Sequence, residues 1–256
     1  NMSLKLFDLK GKRALITGGT QGLGFDIAKG LGEAGAILIL NARNPEKLNA
    51  GVEKMKSFGI ETYGSLFDVG SSESIETAIN SIENEIGPID ILVNNAGIIK
   101  RTPLEDMADE DFEAVIKTNL TGVFKVSKAV AKRMITRKKG KIINMNSMMS
   151  ELGRPNVGAY AASKGGLKML TKNMAAEWAK HNIQVNGIGP GYFITELTQP
   201  LVNDEKFNSF ICNRTPANRW GLPEELDGAA IYLATDATNF LNGHILNVDG
   251  GILAVL

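Results

Sequence analysis

Cysteine is almost absent from this chain. Its 256 residues include a single one, Cys212, so no intrachain disulfide can form and a reducing compartment, the cytoplasm, is expected. Histidine is nearly as scarce. His181 and His244 are the only two; they are far apart, without an HExxH pair or clustered Cys and His, so no metal centre is expected. Neither sign of charge is in excess: Lys plus Arg and Asp plus Glu each number 28. That balance removes any global pull toward nucleic acid or an anionic membrane surface. The basic run Arg137-Lys138-Lys139 is short and reads as a solvated helix end before a turn. No run of about 18 apolar residues is available to span a bilayer, and the first nine residues lack the apolar stretch of a signal peptide. Linkers, repeats and low-complexity tracts are also missing, so one domain over residues 1–256 is expected.

What the chain does have is alternation. With 43% hydrophobic residues, a large core can form. Short apolar runs at 13–17, 37–40, 62–67, 89–93, 141–145, 183–188 and 245–248 read as strands buried on both faces. Longer amphipathic stretches at 22–34, 45–58, 71–87, 109–137, 156–180 and 223–234 read as helices, the last with Pro223 in its first turn. Such alternation implies parallel strands joined by right-handed crossovers, an α/β doubly wound sheet of about seven strands. Residues 190–220 carry no assigned element and read as a substrate-loop segment. The apolar tail, 252–256, is expected to be packed.

The first strand runs into Thr17-Gly18-Gly19-Thr20-Gln21-Gly22-Leu23-Gly24, which opens the first long helix. Glycines let the backbone approach a ligand closely, and free N–H groups at a helix start attract an anion. The spacing differs from GxGxxG. A tight strand-to-helix turn is the plain alternative, and the position after the first strand favours a dinucleotide. The second strand ends Leu40-Asn41-Ala42-Arg43. An acid there would bind the ribose 2′-hydroxyl of NAD; an arginine suits the 2′-phosphate of NADP, so NADP(H) is favoured, with NAD(H) as the other possibility.

Tyr160 and Lys164 are four apart on a predicted helix and share a face. An ammonium beside a phenol favours the phenolate, which would make Tyr160 a general acid/base. Ser147 follows the 141–145 strand, where a hydroxyl can hydrogen-bond a substrate carbonyl oxygen. Asn119 sits inside a predicted helix, where a poor helix former needs a reason, such as a side chain bonding the backbone or a water of the site.

Together Gly18 through Gly24, Asp68, Asn94-Asn95-Ala96-Gly97, Asn119, Ser147, Tyr160-Ala-Ala-Ser-Lys164 and Pro190-Gly191 resemble the short-chain dehydrogenase/reductase family in order and spacing. The resemblance spans nearly the whole chain. It implies a Rossmann fold, a nicotinamide cofactor and a catalytic tetrad of Asn119, Ser147, Tyr160 and Lys164. In that scheme Tyr160 transfers the alcohol proton and Ser147 stabilises the reacting oxygen. Lys164 also holds the nicotinamide ribose, and Asn119 holds a water in a proton relay. Gly18, Thr20, Gln21, Gly22, Leu23 and Gly24 would border the pyrophosphate, Asp68 and Val69 the adenine. Asn95, Ala96 and Gly97 would line the cleft, and Pro190, Gly191 and Thr195 would flank the nicotinamide.

Segments 147–154, 190–196, 214–221 and 242–251 resemble the gluconate 5-dehydrogenase branch, which interconverts D-gluconate and 5-keto-D-gluconate. Enzymes oxidising 2-dehydro-3-deoxy-D-gluconate share similar segments. Many relatives carry Asp where this chain has Ala42, which puts NAD use in doubt here. A sugar acid needs a cation for its carboxylate, and Arg101 is the first choice, Arg154 the second. Met149, Ser147 and Tyr192 are further substrate-site candidates; Trp220 could close over substrate or pack, and Glu151 could bind sugar hydroxyls or cap a turn. The resemblance also implies a homotetramer. The competing functions are reduction of a 3-oxoacyl group on acyl carrier protein, which calls for a basic patch at the mouth, and a catalytically silent NADP-binding sensor, which would not need the complete tetrad.

Overall fold

The computed structural model describes residues 2–255. Seven strands form a single sheet: β1 (Arg13–Ile16), β2 (Ile37–Ala42), β3 (Thr62–Leu66), β4 (Ile91–Asn94), β5 (Gly140–Met145), β6 (Ile183–Pro190) and β7 (Ile245–Val248). All neighbours are parallel, in the order β3-β2-β1-β4-β5-β6-β7. The chain therefore leaves β1 in one direction and, after β3, resumes on its other side at β4, the reversal that defines the doubly wound fold.

Ten α-helices punctuate the strands among the described residues: α1 (Met2–Lys5), α2 (Gly22–Glu33), α3 (Pro45–Ser57), α4 (Ser72–Ser81), α5 (Asp109–Ile116), α6 (Val123–Arg137), α7 (Gly158–Trp178), α8 (Gln199–Val202), α9 (Glu205–Arg214) and α10 (Asp227–Ala234). The continuous apolar strands serve two cores. Ile16, Leu38, Leu40 and Val93 pack under α2, α3 and α10, while Leu15, Ile39, Leu92 and Ile142 pack under α4, α6 and α7. Alternate residues of one strand face opposite layers, so both faces must be apolar.

Four segments depart from expectation. The helix expected over 109–137 is continuous but widens into a π turn at Lys117–Gly122. The 71–87 helix likewise ends in a π turn, Ile82–Ile86. Within 190–220 lie α8 and α9, the latter opened by Asp204, whose carboxylate accepts from the N–H of Lys206 and Phe207. The apolar tail is only partly packed: Ile252 is buried and Val255 exposed. The Arg214 guanidinium donates to the carbonyls of both, so main-chain hydrogen bonds as well as burial hold the tail.

Candidate active site

The carboxyl ends of β1, β2, β4, β5 and β6 open on one cleft of about 810 Å³. It straddles the strand reversal, where open α/β sheets take their ligands. At its phosphate end, Gly18 and Gly22 adopt φ of 61° and 57°, in the left-handed region that glycine enters without penalty. A Cβ on Gly18 would stand 3.0 Å from Ala96 Cα, and one on Gly24 would overlap the Asn95 side chain. Asn95 Nδ2 donates to the carbonyls of Thr17 (3.1 Å) and Gly18 (3.0 Å). The Thr17 hydroxyl accepts from the N–H groups of Asn95 and Ala96. The glycine loop and the loop after β4 are thus tied together.

No side chain caps α2, whereas Asn44, Ser71 and Asp204 cap α3, α4 and α9. Its first N–H groups face the cleft beside the glycines, which suits the pyrophosphate of a dinucleotide. Thr20, Gln21 and Leu23 border the same end, and Gly97 lies further along the wall. At the adenosine end stand Arg43, Asp68 and Val69. The Asp68 carboxylate accepts from the Gly70 N–H at 2.8 Å. Two residues not expected from the sequence join them. Asn41 accepts from the Gly18 N–H (3.3 Å) and donates to the carbonyls of Ser65 and Phe67, so it fixes the loop. Lys47, on the first turn of α3, lies 3.4 Å from Gln21 Oε1 and brings a second cation beside Arg43.

At the other end, Ser147, Tyr160 and Lys164 converge with Pro190, Gly191 and Thr195. Burial pushes the Tyr160 phenol above its ordinary value; the neighbouring Ser147 hydroxyl and the Arg101 charge act the other way. Lys164 is expected from its spacing to lower that phenol. Instead its ammonium lies 5.5 Å from the ring centroid and donates to the Met145 carbonyl at 2.5 Å. The shared helix face brings the pair together, but a strand carbonyl takes the ammonium. Burial lowers Lys164 itself to about 8.

Asn119 stands apart from the other three. It is fully buried and does not border the cleft. Its Oδ1 accepts from the Ile98 N–H (2.8 Å), and its Nδ2 donates to the Ile98 carbonyl (2.9 Å) and the Ser163 hydroxyl (3.1 Å). Both N–H donors of the amide are spent, so its side chain has none for the water of a relay. The alternative of bonding the backbone is the one the structure shows.

Arg101, Arg154, Met149 and Tyr192 all reach the cleft. Arg154 stacks on Tyr192 and Phe207, with 6.0 and 5.3 Å from its guanidinium carbon to the ring centroids. Its buried Nε has no partner. Met145 and Met148 are buried and also face the cleft. Trp220 does not: it is buried edge-on to Tyr192, and its indole N–H donates to Asn208 at 2.7 Å. Glu151 pairs with Lys168 at 2.5 Å, away from the cleft.

A family model described as short chain dehydrogenase matches residues 12–206. The chain belongs to the short-chain dehydrogenase family. A 2-dehydro-3-deoxy-D-gluconate 5-dehydrogenase of Formosa agariphila is 56% identical, with 100% of this chain and 97% of that protein covered. A 5-keto-D-gluconate 5-reductase of Escherichia coli K12 is 52% identical over 98% of this chain and 99% of that one. Among solved structures, a gluconate 5-dehydrogenase from Burkholderia cenocepacia, in complex with NADP and tartrate, superposes with a TM-score of 0.96 at 48% identity, covering 99% and 100% of the two chains. This short-chain dehydrogenase is therefore an oxidoreductase acting on CH–OH groups with a nicotinamide cofactor.

Proposed function

We propose that the enzyme transfers a hydride between NADP(H) and C5 of a six-carbon sugar acid, with D-gluconate and 5-keto-D-gluconate as the leading pair. The observation that carries this reading is Arg154. An arginine held against an edge-on pair of aromatic rings, with a buried Nε lacking any partner, is a preformed anchor for a carboxylate. Exposed Arg101 lies near enough to Tyr160 and Tyr192 for its charge to act on both phenols. It is assigned a supporting share of the same carboxylate, which reverses the order expected from the sequence.

NADP(H) supplies or takes the hydride when bound. Gly18 to Gly24 and the α2 amides would hold its pyrophosphate, and Arg43 with Lys47 its 2′-phosphate, which supports NADP(H) over NAD(H). Asp68 and Val69 would flank the adenine. Asn95, Ala96 and Gly97 would form the cleft wall, and Pro190, Gly191, Thr195 and Lys164 the nicotinamide end. Tyr160 gives its phenolic proton to the substrate oxygen on reduction and recovers it on oxidation; Ser147 donates to that oxygen. Asn119 is a positioning residue that locks the turn at Ile98. Residues 190–220 would wall the substrate side.

A second reading, oxidation of 2-dehydro-3-deoxy-D-gluconate, is favoured by the Formosa relative. Both names place the reaction at C5, so the same anchor serves both. Acyl-carrier chemistry loses its support: Arg137 ends α6 in an ion pair with Glu83, at the opposite end of the sheet from the cleft. The complete set of Ser147, Tyr160 and Lys164 speaks for turnover over silent sensing. Among the described residues no helix is long and apolar enough to cross a membrane. A cytoplasmic homotetramer is proposed, supported by Phe112, Phe124 and Met169 standing exposed on α5, α6 and α7; sedimentation velocity would read the mass. The substrate test is oxidation of D-gluconate and of 2-dehydro-3-deoxy-D-gluconate with NADP⁺. The higher kcat/KM is expected for D-gluconate; preference for the deoxy acid would install the second reading.

A further inference from the structure

At the end of the sheet opposite the cofactor cleft lies a second cavity of about 260 Å³. It opens beneath the amino ends of β1, β4, β5 and β6. Three lysines border it: Lys12 just before β1, Lys139 just before β5, and Lys141 at the second residue of β5. Lys141 is 7% exposed. Its ammonium donates to the Asn239 side-chain oxygen (2.8 Å) and the Thr238 hydroxyl (3.3 Å), both neutral. Lys12 and Lys139 line the same cavity, and the charge of Lys139 acts on the Lys12 amine, holding it below its ordinary value. Two protonated amines cannot share a hydrogen bond, and their charges repel.

Three aspartates, Asp8, Asp90 and Asp236, also border the cavity. Asp8 accepts from the Lys10 N–H at 2.8 Å and Asp90 from the Arg13 N–H at 3.0 Å. Among the described residues, none of the three lysines forms an ion pair with a carboxylate. The cavity thus gathers three cationic side chains, one of them buried; the charges of Asp90 and Asp236 act on Lys12 and that of Asp236 on Lys141, but no carboxylate among the described residues is in direct contact with any of the three.

We propose that this cavity binds a phosphate dianion, free or as the head of a small phosphomonoester, between Lys12, Lys139 and Lys141. Lysine ammonium groups act on phosphate as point charges, where a carboxylate would call for the arginine fork. One dianion placed between Lys12 and Lys139 turns their mutual repulsion into two charge-assisted hydrogen bonds. It also gives the Lys141 charge a counter-ion. A liquid water occupies about 30 Å³, so the space takes a phosphate with several waters or with a short organic tail. A bound dianion would raise both the Lys12 amine, held down first by Lys139 and then by burial, and the Lys141 amine, lowered by burial to about 8, back toward the ordinary lysine range.

The test is isothermal titration of inorganic phosphate into the full chain in chloride buffer at pH 7, with NADP⁺ present in saturating amount. The bound cofactor occupies the phosphate-binding end of the cleft, and the lysine variants separate the lysine cavity from any binding at Arg101 and Arg154. A saturable site is expected in the wild type, at least tenfold weaker in Lys12→Ala/Lys139→Ala. Lys139→Ala alone changes an exposed side chain and provides the comparison should the double variant misfold; it is expected to weaken binding in the same direction. Turnover of both variants should match the wild type, since neither side chain reaches the cleft. A parallel titration with glycerol 2-phosphate separates the sources: tighter binding than inorganic phosphate identifies an ester ligand, and weaker binding the free ion, each in accord with the proposal. Absence of saturable binding by both ligands, or binding unaffected by Lys139→Ala, would overturn it.

Discussion

At the scale of single residues, the proposed chemistry rests on one phenol under opposing influences. Burial raises Tyr160, while Ser147 and Arg101 lower it. Tyr160→Phe keeps the ring and its packing but removes the proton. Turnover should fall by about 10²–10⁴-fold, the range of general acid–base catalysis, while NADPH affinity, read by fluorescence titration, stays within a factor of two or three of wild type, about 0.6 kcal/mol or less. Retained turnover would remove Tyr160 from the proton-transfer role. The convergence of the proposed catalytic residues on one cleft was legible in the sequence because their spacing is fixed by the fold: Tyr160 and Lys164 share a helix face, and Ser147 follows a strand. What those side chains touch was not legible. The carbonyl of Met145 captures Lys164 because β5 ends beside α7, a contact that no one-dimensional spacing records. Lys47 was missed for a related reason: its helix turns it back toward Gln21 across the cleft.

At the scale of elements, the polar residue inside a helix is the instructive case. Asn119 signalled an irregularity, and the irregularity is a π turn that directs its amide onto the Ile98 backbone. The sequence gives no mark of which hydrogen-bonding ring a helix will close, so the helix was expected to be regular. Asn119→Ala leaves the part-buried N–H and carbonyl of Ile98 without these partners. The free energy of unfolding should drop by about 1–3 kcal/mol, measured by urea denaturation; an unchanged midpoint would contradict the positioning role.

The packing of α2 against α10 carries a second element-scale prediction. Asp227 lies directly over Gly30, where a Cβ would come within 2.6 Å of its carboxyl carbon. Burial, then the charges of Asp26 and Glu33, raise its pKa from 3.8 to about 6. The folded chain therefore holds this proton more tightly than the unfolded chain does. Stability should fall as pH rises from about 4 to about 6 and level off above, since the native state binds more protons within that window. Asp227→Asn should flatten this slope in thermal melts across pH 4–7; an unchanged slope would assign it to other groups.

At the scale of the whole molecule, the parallel sheet was legible because strands buried on both faces leave long apolar runs, and the seven runs are the seven strands. Residues 190–220 gave no such signal, for α8 is one turn long and α9 packs through only Phe207, against Tyr192 and Trp220, and the buried Ile211. The sheet separates two ends. Its carboxyl end holds the cleft with a glycine cradle, a tyrosine and unpaired arginines; its amino end holds the lysine cavity. The account stands or falls on the first of these. The most direct measurement follows NADPH and NADH oxidation at 340 nm with 5-keto-D-gluconate as the substrate. Rapid turnover with NADPH, and a lower kcat/KM with NADH, is the predicted result. No turnover of this substrate with either cofactor, alongside turnover of an acetoacetyl thioester, would contradict the sugar-acid assignment.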